Sequence, residues 1–193
     1  MADSVDPWEL VKSEQLADYR IMRVRRDHRR SPRTGAEHDF YVLQMPEWVN
    51  VIAVTRKSTI VIIEQYRHGT EEVAVEIPGG VVDPGNELEE AARRELLEET
   101  GYGAEAFVHI GTVTANPAIQ DNRCHTFVAL GAHPVGEAQL EAGEDIAVSQ
   151  TAMDEVGELI ASGRMSHALV IAGFWWFERW RREHGDVLAR YLD

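Results

Sequence analysis

Residues 76–101 read EIPGGVVDPGNELEEAARRELLEETG, and the rest of the chain is best interpreted around them. They begin as a short apolar strand that runs into a glycine-rich loop, and they continue in residues that favour helix. We predict a helix from Glu87 to Thr100, with Gly101 supplying a left-handed exit. Asn86 would be the N-cap of this helix, and Glu89 would complete a capping box.

Three carboxylates share one face near the end of this helix. Glu95, Glu98 and Glu99 have i, i+3 and i+4 spacing, which places them within about 100° of arc. Glu95 and Glu99 face each other, and neither has a basic residue at its other helical neighbour positions. Such a pair costs about 0.2–0.5 kcal/mol even in an isolated helix. Clustered carboxylate oxygens favour a Mg²⁺ or Mn²⁺ site. The alternative for a glutamate-rich helix is a solvated, salt-bridged surface.

The same residues resemble the Nudix box. That signature is Gly, five residues, Glu, seven residues, and then Arg-Glu-apolar-any-Glu-Glu-any-Gly-apolar, which this chain follows from Gly80 to Tyr102. The one departure is Asn86, which stands where the family has Glu. Because that Glu supports the loop, the departure bears on loop rigidity more than on the metal site. The resemblance makes Arg94 the residue that locks the loop through a salt bridge.

The flanks of this motif resemble the branch of the family that hydrolyses ADP-ribose and other nucleoside diphosphate sugars. The strand that ends at Arg67 resembles the one that supplies a phosphate-contacting arginine, although a solvated strand end is the alternative. Residues 76–80 resemble the approach to the box, and Pro117 stands near a proline of that branch. Residues 141–146 resemble its acidic catalytic loop, and 166–168 resemble the start of its last helix.

The resemblance implies metal-dependent hydrolysis of a pyrophosphate bond, with a nucleoside monophosphate and a sugar phosphate as products. Two or three Mg²⁺ ions, or Mn²⁺, would neutralise the diphosphate charge and activate a bound water. The implied ligands are the carbonyl of Gly79 and the carboxylates of Glu95, Glu98 and Glu99.

The remaining site residues implied by the resemblance are a general base and substrate contacts. The base would come from the loop before the last strand, where Glu141 and Glu144 are both candidates and Glu144 is slightly favoured. Glu98 would ligate a second ion or orient the attacking water. Trp48 would stack on a base, unless it packs in the core or at a dimer seam, and Asp121 would contact substrate, unless it is merely solvated.

The pattern of the whole chain predicts an α/β fold, a Nudix-type α/β/α sandwich around a mixed sheet. We assign residues 1–45 to an N-terminal β subdomain and residues 46–193 to the hydrolase domain. The subdomain is expected to mediate dimerisation or to act as a flap over the substrate. The predicted strands of the second part are 49–55, 59–66, 73–77, 107–114, 125–130 and 146–149, and its later helices are 152–161 and 168–182.

Composition bounds the class of protein. The 193 residues carry 33 Asp and Glu against 19 Lys and Arg, a net charge of −14, which disfavours binding to nucleic acid or to an anionic membrane. The longest apolar run, residues 168–177, is about half of a bilayer span. A single cysteine and an acidic N-terminus without a signal-like run predict a cytoplasmic protein.

Partners and alternative functions follow from the same resemblance. It implies a homodimer, and the seven arginines between Arg20 and Arg33 would meet a second subunit or substrate phosphates, or else form a solvated strand face. One alternative substrate is GDP-mannose or another nucleoside diphosphate sugar. A non-catalytic sensor of nucleotide sugars is disfavoured because all three box glutamates are present. Hydrolysis of oxidised nucleoside triphosphates or of dinucleoside polyphosphates fits the box but not its flanks.

Overall fold

Two compact units make up the computed structural model, which describes residues 4–193. The first unit comprises the residues up to Pro46 together with Thr114–Asn122, and the second comprises Glu47–Val113 and Arg123–Asp193. The segment 114–122, which the sequence analysis left in the hydrolase domain, is tied to Leu43 by two backbone hydrogen bonds of 2.7 and 3.3 Å. No helix among the described residues has the length and apolar character needed to cross a membrane.

The secondary structure follows the predicted order, with several short elements added. The strands are β1 (Glu9–Asp18), β2 (Arg23–Arg30), β3 (Glu37–Gln44), β4 (Trp48–Thr55), β5 (Thr59–Arg67), β6 (Glu72–Glu76), β7 (Gly79–Val81), β8 (Tyr102–Gly103), β9 (Ala106–Thr114), β10 (Arg123–Pro134) and β11 (Ile146–Ala152). The helices are α1 (Leu88–Thr100), α2 (Val156–Ala161), α3 (Ala168–Glu183) and α4 (Gly185–Ala189).

The first unit is a three-stranded antiparallel sheet in the order β1-β2-β3. The five arginines of β2 pair with acids of the same unit. The buried Asp27 carboxylate accepts hydrogen bonds from Arg25 at 3.1 Å and Arg29 at 2.8 Å, while Arg26 bonds Glu14 at 2.7 Å. Sequence analysis missed β1 because two register shifts break its alternation of apolar and polar residues.

The second unit contains an eight-stranded sheet with the central path β11-β5-β4-β10-β8. β4 and β10 run parallel, whereas β5 is antiparallel to β4, β6 and β11. β4 and β5 pair only at Val54 and Ile60, and β6 then extends the pairing of β5 while β7 extends that of β4. The strands therefore part, and the glycine-rich loop fills the gap between them.

Apolar side chains bury both faces of this sheet, which confirms the predicted α/β/α sandwich. On one face, Ala91, Ala92 and Leu96 of α1 pack against side chains of β4 and β10. On the other face, a larger cluster joins the sheet to α2, α3 and α4, with Phe174 and Phe177 among its buried members. A fully buried Leu or Phe side chain contributes about 1.5–3 kcal/mol, so Leu96 fixes α1 on one face while Phe174 and Phe177 fix α3 on the other.

Two predicted helix starts are wrong. Asn86 is not the N-cap of α1: its amide closes a turn onto the carbonyl of Asp83 at 3.1 Å, and Glu87 takes the N-cap position without any side-chain cap bond. The capping box with Glu89 is therefore absent. The helix predicted from residue 152 begins at Val156, because β11 continues to Ala152 and a turn follows.

Candidate active site

Glu95 and Glu99 point from α1 toward two consecutive glycines of β7. The carboxylate of Glu99 accepts the backbone N–H of Gly79 at 2.8 Å. The carboxylate of Glu95 lies against Gly80, where an added Cβ would stand 2.6 Å from its carbon and both oxygens. Glu95 is 8% exposed and Glu99 is 3% exposed. A side chain at position 80 would displace the acid, so the local sequence requires glycine there.

Burial of these two acids changes their protonation. Burial raises the pKa of Glu95 to about 7. The positive charge of Arg94 opposes this increase, and the negative charge of Glu98 adds to it. Burial likewise raises the pKa of Glu99 to about 8. The charge of Glu95 adds to this increase, whereas the hydrogen bond from Gly79 opposes it. The protein thus holds two adjacent carboxyl groups whose negative charge is poorly compensated.

Arg94 connects α1 to the loop that follows β7. Its guanidinium donates to the Glu98 carboxylate at 2.8 Å and to the Val81 carbonyl at 3.0 Å, and it lies 3.8 Å from Asp83. It also approaches Glu95 at 2.8 Å. The other helical neighbour positions of Glu95 do lack a basic residue, but the adjacent Arg94 reaches this carboxylate because its long side chain bends back.

The carboxylate donor set fits a hard divalent cation only in part as it stands. Within residues 4–193 no group of three acidic, histidine or cysteine side chains is assembled for a metal. Glu95 and Glu99 lie side by side, and a cation between them would remove the penalty that raises the pKa of each. Glu98 is held by Arg94 and would have to turn to join them. Mg²⁺ is commonly bound by one or two carboxylates and retains several waters.

A loop between β10 and β11 approaches the same carboxylates. Gly101 ends α1 with φ 71°, as predicted, and its carbonyl accepts the N–H of Val135 at 2.9 Å. Gln139 donates its N–H to the carbonyl of Glu98 at 2.7 Å. Further along, the negative charge of Glu144 helps to raise the pKa of both Glu95 and Glu99. The structure therefore brings Glu144 close to the pair.

Glu141 has a different place in that loop. Its backbone N–H donates to the Glu144 carboxylate at 2.9 Å, and its carbonyl accepts the N–H of Glu144 at 3.0 Å. The side chain of Glu141 is not among the groups that most affect the pKa of Glu95 or Glu99. Glu141 thus orients Glu144.

Arg67 ends β5 on the other side of the glycine loop. Its Nε and Nη2 donate to the two carboxylate oxygens of Glu76, each at 2.7 Å. His167, which precedes α3, bonds the same carboxylate through Nδ1 at 2.8 Å. Charge on Glu99 and Glu144 adds to the effect of the Glu76 hydrogen bonds in raising the pKa of Arg67. The arginine therefore lies between a buried carboxylate and the acid pair.

The two remaining predicted substrate contacts lie in different units. Trp48 is half-buried at the start of β4, opposite Val81 of β7. Asp121 belongs to the first unit, where its carboxylate accepts the Arg25 guanidinium at 2.9 Å and the Met45 N–H at 3.2 Å. Asp121 therefore has a structural task within its own unit.

Comparison with known proteins assigns the family. A family model described as NUDIX domain matches residues 46–174, more than half of the chain. The chain belongs to the NUDIX family. Its Nudix fold is matched by a crystal structure of an ADP compounds hydrolase, with a TM-score of 0.84 at 20% identity over 95% of this chain and 99% of the other. The resemblance in residues 80–102 is thereby confirmed.

Two curated relatives of this Nudix protein come from Bacillus. The chain is 31% identical over 156 residues to the methanol dehydrogenase activator of Bacillus methanolicus, covering 80% of this chain and 84% of the relative. It is 33% identical over 122 residues to an ADP-ribose pyrophosphatase of Bacillus subtilis (strain 168), covering 63% and 66%.

Sequence reasoning gave no role to two residues of this Nudix site, Glu76 and His167. Both were noted only as parts of segments that resemble the family. The signal in Glu76 was a charged residue that ends an apolar strand, directly before Ile77 and Pro78. Its partners stand 9 and 91 residues away, so no local pattern connects them.

Proposed function

We propose that this Nudix hydrolase cleaves the pyrophosphate bond of ADP-ribose or a closely related nucleoside diphosphate sugar, releasing a nucleoside monophosphate and a sugar phosphate. The observation that carries the proposal is the buried pair of carboxyl groups at the glycine loop. Burial raises the pKa values of both groups, and neighbouring negative charge adds to the effect, from Glu98 on Glu95 and from Glu95 on Glu99. Such a pair is suited to divalent cations that accompany a diphosphate.

Glu95 and Glu99 would hold Mg²⁺, or Mn²⁺, together with the carbonyl of Gly79 and with Glu98 once it leaves Arg94. Two or three ions per site are in keeping with this set of donors. When bound, Mg²⁺ supplies charge neutralisation for the diphosphate and activation of water. The chain itself has a net charge of −14 and offers little attraction to an anionic substrate without cations.

The chain's own side chains supply the proton transfer and the positioning. Glu144 takes a proton from the attacking water as its oxygen bonds to phosphorus, while the bridging P–O bond breaks and the leaving phosphate keeps the electron pair. Arg67 binds a phosphate oxygen, and Arg94 holds the loop after β7 in place through Val81. Trp48 provides an aromatic face for the nucleobase.

ADP-ribose is favoured over other diphosphate sugars because a relative at 33% identity is an ADP-ribose pyrophosphatase. GDP-mannose and other nucleoside diphosphate sugars remain the runner-up substrates. The hydrolysis chemistry is the same for all of them, since they share the reacting diphosphate, and Trp48 would stack on any of their nucleobases.

A second candidate function is activation of a dehydrogenase, either alongside hydrolysis or as a non-catalytic sensor. The likeness to the methanol dehydrogenase activator, 31% identical over 80% of this chain, is the observation that favours it. Retention of Glu95, Glu98 and Glu99 favours catalysis over sensing alone.

We also propose that the protein is a cytoplasmic homodimer. The first unit exposes several large apolar side chains, among them Leu10, Leu16, Ile21 and Tyr41. Exposed apolar side chains of this size in a small unit favour association with a second copy. Light scattering coupled to size-exclusion chromatography would test this, and a monomer mass at about 50 µM protein would contradict it.

The deciding experiment is a substrate panel. Phosphate release, after coupling to a phosphatase, would be measured from ADP-ribose, GDP-mannose, UDP-glucose, diadenosine polyphosphates and 8-oxo-dGTP, with Mg²⁺, Mn²⁺ or EDTA. We expect a diphosphate sugar to be preferred and EDTA to abolish turnover. Preference for 8-oxo-dGTP or a dinucleoside polyphosphate would overturn the substrate class. Silence across the panel would favour the sensor, which a dehydrogenase activation assay would then examine.

A further inference from the structure

Glu76 is a buried carboxylate with three hydrogen bonds from two partners. It ends β6 with its side chain only 3% exposed, and it accepts two bonds from Arg67 and one from His167. Burial alone would raise the pKa of Glu76, but these bonds outweigh it and lower the pKa to about 2. The carboxylate is therefore ionised and acts only as an acceptor, so Nδ1 of His167 carries the proton.

Glu76 binds one edge of the Arg67 guanidinium and leaves its other edge available. Nε and Nη2 are occupied by Glu76, whereas Nη1 takes part in no hydrogen bond with residues 4–193. The Arg67 side chain is 42% exposed, so this second edge is accessible to solvent. The charges of Glu99 and Glu144 contribute to the raised pKa of Arg67, so its guanidinium lies within their electrostatic reach. A planar guanidinium fixed on one edge is suited to bind a phosphate with the other.

The side chain of His167 does not cap the helix that it precedes. His167 is the N-cap residue of α3, yet its side chain makes no cap bond to the helix backbone. Its Nδ1–H goes instead to the Oε2 atom of Glu76, the same oxygen that Nη2 of Arg67 contacts. The imidazole therefore restricts the rotation of the carboxylate that restricts Arg67.

We propose that Glu76 and His167 are positioning residues for the substrate diphosphate: Glu76 clamps the inner edge of Arg67, and His167 holds Glu76, so that the outer edge of Arg67 is presented to a phosphate oxygen. This inference rests on the proposed function, in which Arg67 binds the diphosphate. Neither positioning residue contacts substrate. Their contribution is to orient the guanidinium before substrate arrives, which lowers the cost of binding.

A double-mutant cycle between His167→Ala and Arg67→Ala tests the proposal. We expect His167→Ala to raise KM for ADP-ribose about tenfold while kcat changes less than about threefold, the loss expected for one misplaced charge-assisted hydrogen bond. In the Arg67→Ala background, His167→Ala should then have no further effect, because it acts through Arg67. Equal effects of His167→Ala in both backgrounds would overturn the proposal.

Two further variants separate positioning from folding. His184→Ala is the matched control, since His184 lies at the other end of α3 and makes a single Nδ1 bond to the Trp180 carbonyl at 3.1 Å. It should leave KM unchanged. His167→Asn places an amide N–H near the position of Nδ1 and should restore KM to within about threefold of wild type. A KM for His167→Asn as high as that of His167→Ala would count against the proposal.

The cycle remains informative if the proposed function fails. Should the wild-type protein hydrolyse no member of the substrate panel, the same four proteins would be compared by their Kd for α,β-methylene-ADP, measured calorimetrically. A rise in Kd on His167→Ala that disappears in the Arg67→Ala background would support the positioning role without catalysis. An additive pair of Kd values, or no weakening by Arg67→Ala, would overturn it.

Discussion

Near neutral pH in the metal-free protein, the raised pKa values leave Glu95 about half protonated and Glu99 mostly protonated. Burial is the main cause, and each acid also feels the negative charge of its neighbours, with pKa values of about 7 and about 8. A divalent cation binds only the ionised forms, so metal binding must release protons. Burial raises the free energy of the two ionised carboxylates when no cation is bound. It would also strengthen their attraction to a cation, because the local dielectric constant is low.

Glu99→Gln should cut turnover by about 100-fold or more, because an amide is a weak ligand for a hard cation. The fold should persist, since the amide oxygen can still accept the Gly79 N–H. Turnover and Mg²⁺ affinity by calorimetry measure the effect. Glu89→Gln is the control, as Glu89 pairs with Arg93 on the exposed side of α1. Near-wild-type turnover in Glu99→Gln would exclude Glu99 as a ligand.

The metal-free protein should lose stability as pH rises between about 4.5 and about 8. In that window Glu95 and Glu99 are protonated in the folded state, where their pKa values are raised, but ionised in the unfolded chain, where they are near 4.5. The folded state thus binds more protons, and its free energy of unfolding falls as protons are removed. Thermal melts in EDTA measure the slope, which should be shallower in Glu99→Gln. A flat profile would contradict the raised pKa values.

Acid pH should act through Glu76 in the opposite direction. Its folded-state pKa of about 2 lies below the ordinary value of 4.5, so the stability that Arg67 and His167 confer is present above 4.5 and is lost as pH falls toward 2. Denaturant melts at about pH 5 and about pH 3 measure this loss, which should be smaller in Glu76→Gln. Equal losses in both proteins would remove Glu76 as the cause.

At the scale of elements, α1 positions the loop that carries Glu144. Gly101 has φ 71°, and a Cβ there would collide with the carbonyl oxygen of Gly136 and lie 3.1 Å from the amide of Ala138. The C-terminal carbonyls of α1 also accept N–H groups of that loop. The end of α1 therefore holds both the proposed metal ligands and the loop that carries the proposed general base.

Gly101→Ala should lower kcat by about tenfold or more, because it strains a left-handed residue by about 1 kcal/mol and displaces the loop that places Glu144. Mg²⁺ affinity should change much less, as Glu95 and Glu99 lie within the helix. Gly136→Ala is the matched control, since no heavy atom lies within 4 Å of its added Cβ. Equal kcat values for the two variants would show that the loop does not depend on this contact.

At the scale of the whole molecule, we expect cation binding to have the largest effect on how the free energy of unfolding varies with solution conditions. A ligand that binds only the folded state at about 100 times its Kd adds about 2.7 kcal/mol, or about 5–10 °C in Tm for a chain of this size. We expect such a rise with Mg²⁺ at about pH 8, and none with NaCl of equal ionic strength. If Glu99→Gln showed the same rise, the ion would be binding elsewhere.

The sequence by itself determined the family, the sandwich and the face of α1 that carries Glu95 and Glu99. These features depend on short-range periodicity and on a motif confined to residues 80–102. Within a helix, the separation of two residues in the sequence determines whether their side chains are neighbours. The prediction of Asn86 as N-cap was wrong because a turn closed by Asn86 and Asp83, rather than residue preference, set the boundary of the helix.

Only the tertiary structure decided which acids and bases meet. It turned Arg94 onto Glu95, brought Glu144 rather than Glu141 near the carboxyl pair, and joined Arg67 and His167 through Glu76. The physical reason is that these contacts link residues on different strands, loops and helices. Their geometry depends on how β5, β6 and α3 pack, and their energies depend on burial, which no local pattern of residues encodes.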